Sequence, residues 1–203
     1  MQTRGKVSIA LSGTGKVTID WGDESVKIYM LAEIETDLLT RKEFFIKHRY
    51  TKVQNRTITI TGENIIGLRC NGLKITSLNV SNSVSLEYLY CSDNQLINLD
   101  VSRNVRLKNL ECDRNQLTSL NFSNNTCLSR VCCSHNQLSY KALNDMYETL
   151  NDMSAPKSVL IADNPGALNS DLCIAWKKEW RVHIKYGVCP YPFPDKWEIR
   201  PLD

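Results

Sequence analysis

Cys132 and His135 stand three residues apart in the sequence, and a thiol beside an imidazole could form a cysteine nucleophile with its general base. The two residues belong to one extended run, "RVCCSHNQL". Three residues of extended chain span about 10 Å, which is far beyond the hydrogen-bond distance that a general base needs. The spacing therefore argues against a thiol protease.

Acidic and imidazole side chains could instead bind a metal. Asp93 and His135 occupy the same position in a repeated pattern, but Arg114 occupies that position between them. The column continues to Asp163, and this alternation of charge is typical of a cross-strand ladder of ion pairs. We prefer the charge ladder to a metal site, which would need its ligands to converge.

The remaining candidates for chemistry have simpler interpretations. Asp20 and Asp23 flank a turn, where carboxylates commonly accept from backbone N–H groups, and we favour this role over calcium binding or acid–base catalysis. His48 and His183 stand among apolar or basic neighbours. The sequence contains no Gly-rich phosphate loop, no nucleophile elbow and no HExxH motif. It therefore does not indicate an enzyme, and it predicts neither a cofactor nor a metal.

A repeat of 21 residues positions most of these side chains. Relative to its cysteine, each repeat has an aliphatic residue two and five positions before it and five positions after it, and the first three repeats have a leucine eight positions after it. The four reference cysteines are Cys70, Cys91, Cys112 and Cys133. The position three after the cysteine is held by Leu73, Asn94, Asn115 and Asn136.

Each repeat predicts a short strand followed by a turn, where an asparagine side chain can satisfy backbone groups. One such coil cannot bury its own apolar side, so the coils must stack, strand beside strand, into a solenoid. We expect parallel strands near residues 67–70, 88–91, 109–112, 130–133 and 158–161.

The motif L-x-x-L-x-C-x-x-N-x-L resembles the leucine-rich-repeat signature. Together with "NQL" and "L-D/N-V-S-x-N" it is similar to the short repeats of Bacteroides-type surface proteins, over about residues 57 to 184. The resemblance implies an α/β-type, right-handed leucine-rich-repeat solenoid with parallel strands. It also implies a secreted or cell-surface bacterial protein with a role in adhesion.

The chain before the repeats predicts antiparallel strands. Val7, Ile9 and Leu11 alternate with polar residues, and the alternation returns after "SGTG" and again after "GDES". Residues 30–42 are expected to be a helical insertion. The runs "IDWGD", "HRY" and "TITITG" resemble a small β-sandwich of the polycystic-kidney-disease type, although Glu24 replaces the last glycine of the usual W-G-D-G.

The chain after the repeats predicts a helical cap. Ser139 is a suitable N-cap for a helix whose buried side is formed by Leu143, Met146, Tyr147 and Leu150. A second helix follows in "NSDLCIAWKKEW", with Leu172, Ala175 and Trp176 inward, and "VHI" predicts a last strand. The expected domains are residues 1–64 (β-sandwich), 65–184 (repeats and cap) and 185–203 (an extended tail, rich in proline and aromatic residues, packed on the cap).

The eight cysteines do not define a redox compartment. The four in the repeats occupy an inward position that favours a small apolar side chain, so we expect a ladder of buried thiols there. The other four lie outside that column, and a disulfide between Cys173 and Cys189 remains an alternative to free thiols.

Composition excludes several classes of partner. The net charge is +3; residues 1–64 hold ten basic and eight acidic side chains, and the remainder fifteen and fourteen. Without a basic run the sequence argues against nucleic acid, and without an apolar stretch near 18 residues it predicts no membrane span. The first residues carry no apolar signal core, so an extracellular or surface location rests on the resemblance. We expect a monomer.

The predicted function is recognition of a protein or glycan ligand on the concave face of the solenoid, without catalysis. The outward positions three and one before the cysteine, and those one and two after it, would line that face. Aromatic and arginine side chains dominate binding energy at interfaces. The predicted ligand-binding residues are Tyr88, Tyr90, Asn109, Glu111 and Arg130. In the alternative, the repeats are a surface spacer and the N-terminal β domain binds the ligand.

Overall fold

A computed structural model describes residues 2–31, 44–55, 57–152 and 156–184. In this part of the chain nine strands form one open sheet, in the order β2-β1-β4-β5-β6-β7-β8-β9, with β3 also paired to β1. The first four strands are β1 (Gln2–Asp20), β2 (Val26–Leu31), β3 (Phe44–Asn55) and β4 (Thr59–Arg69). The others are β5 (Tyr88–Tyr90), β6 (Asn109–Glu111), β7 (Arg130–Cys132), β8 (Lys157–Leu160) and β9 (Trp180–His183).

The repeats form the parallel half of this sheet. Leu68, Leu89, Leu110, Val131 and Val159 lie opposite one another in successive strands. The register therefore follows the 21-residue period, as a stack of equivalent coils requires. The prediction of five parallel segments is confirmed.

The antiparallel half covers the first edge of the parallel ladder. β1 pairs with β4 along most of its length, and Ala10, Leu11 and Ser12 lie opposite the same β4 residues that pair with β5. Covering an otherwise open strand edge prevents pairing with another chain. β4 runs without a break from the hairpin into the first coil, so the expected division between residues 64 and 65 falls inside a strand.

A glycine lets β1 change direction where it meets β4. Gly13 has φ = +141°, and a Cβ there would lie 2.0 Å from the carbonyl oxygen of Asn64. The pairing register shifts at this point, between Ser12 and Gly13. Only glycine permits so close a backbone approach.

The antiparallel strands contribute the alternating residues that the sequence indicates, together with Trp21, Leu31, Ile46 and Tyr50, to a hydrophobic core that continues into the coils. In β2, by contrast, the alternating apolar side chains lie on the solvent side. Val26, Ile28 and Met30 are 59–68% exposed.

Asparagine side chains join each coil to the one before it. Asn94 Oδ1 accepts from the N–H groups of Leu73 and Ile75 at 3.0 Å, and its Nδ2 donates to the Cys70 carbonyl at 2.9 Å. Equivalent bonds are made by Asn115, Asn136 and Asn164. Each of these side chains bonds to the coil before its own. Since no coil precedes the first one, Leu73 can occupy the position there.

A second asparagine column lies on the far side of the coils. Asn104 Nδ2 donates to the carbonyls of Val80 and Ser83, and Asn125 Nδ2 to those of Val101 and Asn104, at 2.8–3.0 Å. The first coil again departs from the column, with Ser83 in the equivalent position. Asn104 and Asn125 are the last asparagine of the motif L-D/N-V-S-x-N, to which the sequence analysis assigned no role.

The predicted helical cap is present. In α1 (Tyr140–Thr149), Ser139 Oγ accepts from the Ala142 N–H, and Leu143, Met146 and Tyr147 are buried. In α2 (Leu172–Trp176), Ala175 is buried while Leu172 and Trp176 are half-buried. Among the described residues, no helix combines the length and the apolar character needed to cross a bilayer. The expected insertion falls almost wholly, and the tail wholly, outside the described residues, as does Cys189.

Candidate functional site

The surface of interest is the solvent side of the parallel ladder. In β5 and β6 the middle residue is buried and the two flanking residues are half-buried, so the flanking side chains point away from the core. The same alignment extends from β4 to β9. We call this surface the ladder face. Its members are Gly67, Tyr88, Asn109, Arg130, Ser158 and Arg181 in one column and Arg69, Tyr90, Glu111, Cys132, Leu160 and His183 in the other.

All five predicted ligand-binding residues lie on the ladder face. Tyr88, Asn109 and Arg130 are neighbours across β5, β6 and β7, and Tyr90 lies beside Glu111. Four of them are half-buried and Arg130 is exposed. The structure thus brings them together as one patch.

The last strand predicted at "VHI" is present as β9, but the sequence analysis did not place it on this surface as a sixth strand. Arg181 lies opposite Ser158, and His183 lies opposite Leu160. The alternation in "WRVH" was the available signal. Burial lowers the pKa of His183, and the nearby Arg181 and Arg130 guanidinium groups lower it further. This end of the ladder face is therefore cationic.

At the other end an arginine stacks on an aromatic ring. The Arg69 guanidinium carbon lies 4.0 Å from the centroid of the Tyr90 ring. A cation over an aromatic face is attracted by the ring quadrupole. Arg69 therefore covers one face of the Tyr90 ring.

The charge ladder predicted from the sequence lies just beyond the strands. Arg114 Nε is 3.8 Å from the Asp93 carboxylate, and His135 Nε2 is 3.4 Å from that of Asp163. All four residues have φ between 50° and 56°, so each turn adopts the left-handed conformation at this position. Among the described residues no group of three His, Cys, Asp or Glu side chains could hold a metal ion.

The position directly after the repeat cysteine was expected to point outward. Asn71 and Asp113 are half-buried at this position, but the expectation is wrong for the other three coils. Ser92, Ser134 and Ala162 are buried. Ser92 Oγ donates to Asp113 Oδ1 at 2.5 Å, and its N–H donates to Asn71 Oδ1 at 3.0 Å. Ser92 thus bonds to both neighbouring coils, and the three buried side chains do not contribute to the outer surface.

Cys132 has the wrong electrostatics for a nucleophile. Burial, reinforced by the Asp113 carboxylate, raises the pKa of its thiol to about 11. A catalytic cysteine needs its pKa lowered so that the thiolate forms near neutral pH. The thiol is therefore protonated at neutral pH.

The W-G-D turn and the H-R-Y strand form a separate polar cluster. His48 Nε2 lies 2.7 Å from Asp23 Oδ2, and the His48 ring stacks on Trp21 with centroids 4.6 Å apart. Asp23 Oδ1 accepts from Ser25 Oγ at 2.5 Å. The Ser25 bond, followed by His48, lowers the pKa of Asp23 to about 2. Since the hydroxyl bonds to the carboxylate and not to the imidazole, this arrangement fixes a turn and does not activate a nucleophile.

The expected turn roles of both aspartates are confirmed, because Asp20 Oδ1 also accepts from the Gly22 N–H at 2.8 Å. The two carboxylates each bind the backbone of the same turn.

Comparison with known proteins gives limited similarity. No protein-family model matches the chain, and neither does any curated protein. Among solved structures it is similar to the functional domain of InlJ from Listeria monocytogenes, which is described as including a cysteine ladder. The identity is 27% and the TM-score 0.42, and the match covers 60% of this chain and 31% of that one. The chain thus spans less than a third of that protein's length, and this likeness does not assign a function.

Proposed function

We propose that the ladder face is a recognition surface for a protein ligand and that the protein has no catalytic role. The observation that carries this proposal is the single patch formed by Tyr88, Tyr90, Asn109, Glu111 and Arg130 across three adjacent strands. Tyrosine and arginine are the residues most enriched among binding hot spots. The repeats then act as a leucine-rich-repeat solenoid that presents this patch on its concave side.

Charge supports a protein in preference to a glycan. The ladder face carries Glu111 together with Arg130 and Arg181, and the Asp93–Arg114 pair lies just beyond it. Mixed charges of this kind give electrostatic complementarity to another protein surface. A sugar ring would need an open aromatic face, whereas Arg69 already stacks on one face of Tyr90.

The size of the patch predicts modest affinity. Six strands about 4.8 Å apart span roughly 24 Å, and the two columns give a smaller width, so the footprint is well below the roughly 800 Å² per partner of a standard interface. We therefore propose weak binding by the ladder face alone. An extracellular or cell-surface location fits this role and is supported by the repeat resemblance.

The test is a binding screen of the whole chain against purified proteins and a glycan array, followed by the double variant Tyr88→Ala, Tyr90→Ala. We expect the best protein ligand to lose at least tenfold in affinity. Tyr140→Ala is the matched control, because Tyr140 is exposed on α1 and lies off the ladder face. Unchanged affinity in a folded double variant would reject the ladder face, and a glycan as the best ligand would reject the protein class.

A second candidate function is that the repeats are a spacer and the N-terminal strands bind. The exposed apolar side chains of β2, Val26, Ile28 and Met30, favour it. Replacing all three by threonine would abolish binding in this case and leave it unchanged if the ladder face is the site.

A further inference from the structure

A groove of about 1050 Å³ lies at the N-terminal end of the stack of coils. Its apolar part is formed by Ile58 and Ile60 from the antiparallel half and by Leu73, Ile75 and Leu78 from the first coil. Threonine, serine and asparagine side chains from both halves surround them, including Thr18 and Thr76. The groove is distinct from the ladder face.

The groove occupies the place where a preceding coil would stack. In later coils the residues equivalent to Ile75, such as Leu96 and Leu117, are fully buried, whereas Ile75 itself is half-buried. Leu78 is half-buried too, while its equivalent Leu99 is 8% exposed. The first coil therefore presents apolar side chains that the others cover.

One strand edge borders the groove. Every residue from Thr57 to Asn64 lines it, whereas a strand that met the groove with one face would contribute alternate residues. β1 pairs with the other edge of β4 from Thr59 to Arg69. On the groove side β5 pairs only with Gly67–Arg69, and within the described part of the chain no backbone hydrogen bond joins Thr59–Ile65 to a second neighbour.

From this geometry we propose that the groove binds an extended polypeptide segment of a partner protein, which adds as a strand to the free edge of β4. About six residues of such a strand match the free edge, which is roughly 20 Å long. Alternate apolar side chains of the segment contact Leu73, Ile75 and Leu78, and its backbone pairs with β4. This is strand addition to an exposed sheet edge.

The edge also selects the class of ligand. An acyl chain or another hydrocarbon would cover the backbone N–H and C=O groups of β4 and leave them without partners, which is unfavourable. A peptide backbone satisfies these groups and fills the apolar part at the same time. The chemistry of the groove therefore favours a polypeptide.

The probe is the synthetic peptide KTVTVTVTK, acetylated and amidated at its ends, in which valine alternates with threonine. The control KTTVVVTTK has the same composition without alternation. Amide hydrogen exchange of the full chain is followed by NMR. With free peptide at ten times its dissociation constant, exchange from the groove-facing amides of Thr59–Ile65 should slow about elevenfold.

Backbone methylation makes the test specific for strand pairing. In one version of the peptide the three valine amides are N-methylated, and in the other the amides of the three threonines that follow them. Successive amides of a strand point to opposite edges, so one version loses its bonds to β4 and the other keeps them. We expect one version to bind like the parent and the other to lose at least tenfold in affinity.

Variants of the protein locate the site. Leu78→Lys places a charge in the groove and should weaken binding at least tenfold. Ile97→Lys is the matched control, since Ile97 is an exposed apolar residue of the second coil outside the groove. If Leu78→Lys fails to fold, the methylated pair decides the question in the unmodified protein.

Several results would overturn the proposal. They are absence of binding, equal binding of the control peptide, equal binding of the two methylated versions, or binding that does not protect the β4 amides. If the amides of Thr59–Ile65 are already protected without peptide, loss of that protection when residues 185–203 are deleted would show that the chain's own tail fills the groove. Loss of that protection on dilution would show that a second copy fills it.

Discussion

The cysteine side chains of the repeats are core residues. Cys91, Cys112 and Cys133 are fully buried, Cys70 is nearly so, and all four are free thiols. Burial raises the pKa of each thiol, and it raises the pKa of Cys70 to about 12. Cys112→Ser would bury a hydroxyl in an apolar site and should lower the free energy of unfolding by about 1–3 kcal/mol. Cys173→Ser, at an exposed position, is the control for urea denaturation. A loss at Cys112 no larger than at Cys173 would contradict this role.

The asparagine ladder should contribute more per residue. Asn115 Oδ1 accepts from the Leu96 N–H, and Nδ2 donates to the carbonyls of Cys91 and Cys112. Asn115→Ala leaves several buried backbone groups without partners, so we expect a loss of about 3 kcal/mol or more in urea denaturation. Asn124→Ala removes an exposed asparagine and should change stability by less than about 0.5 kcal/mol. Similar losses in the two variants would show that the ladder is not a major source of stability.

Asp23 should make stability depend on pH in acid. Its pKa is 3.8 in the unfolded chain and about 2 in the folded protein, so its contribution is present above about pH 4 and is lost as pH falls towards 2. Allowing for solvent screening, we expect about 1 kcal/mol. Asp23→Asn should remove this part of the pH dependence in thermal or urea unfolding, whereas Glu63→Gln, at an exposed site, should keep it. An unchanged pH profile in Asp23→Asn would reject the assignment.

At the scale of the element, each turn after a strand needs one residue with positive φ. Arg114, with φ = 52°, is one of five successive residues of this column. Arg114→Val should lower the free energy of unfolding by about 1–2 kcal/mol, because a β-branched residue is strained in the left-handed region. Arg114→Gly removes the same surface ion pairs but relieves the strain, so it should be at least as stable as the parent protein in urea denaturation. Equal loss in both variants would attribute the effect to the ion pairs.

Much of the parallel half could be predicted from the sequence because one coil is repeated. The 21-residue spacing aligns Leu89 with Leu110 and places all five proposed binding residues on one face. Leu73 could not be explained from the spacing alone, since its cause is the direction in which Asn94 reaches. The period shows which positions are equivalent, but it does not show to which coil their side chains form hydrogen bonds.

Two errors have a common cause in strand length. β5 ends at Tyr90, so the inward–outward alternation cannot be extended to Ser92, which is buried. At the other end of the ladder, the strand expected in "TITITG" and the one expected near residues 67–70 form a single strand, β4, which pairs with β1. That contact joins residues about 60 positions apart, such as Ala10 and Arg69, and no repeat signals it.

For the molecule as a whole, the continuous sheet predicts that the repeats depend on the strands before them. A fragment of residues 65–184 would lose the pairing of β1 with β4 and expose an unprotected parallel edge. We expect this fragment to aggregate or to unfold at lower urea concentration than the full chain, as measured by light scattering and circular dichroism. A monomeric fragment of unchanged stability would instead support residues 65–184 as an independent domain.

The backward reach of the asparagines bears on how such a chain can change its length. Asn94 and Asn115 make equivalent bonds to the coil before them, accepting from the N–H groups of Ile75 and Leu96, so one junction between 21-residue coils can replace the next. Duplication or loss of one 21-residue unit within a gene would therefore leave every remaining junction intact, provided that the first coil, with Leu73 and Ser83, is retained. Recombination between repeats can lengthen or shorten the ladder face in steps of one strand without redesign of either end.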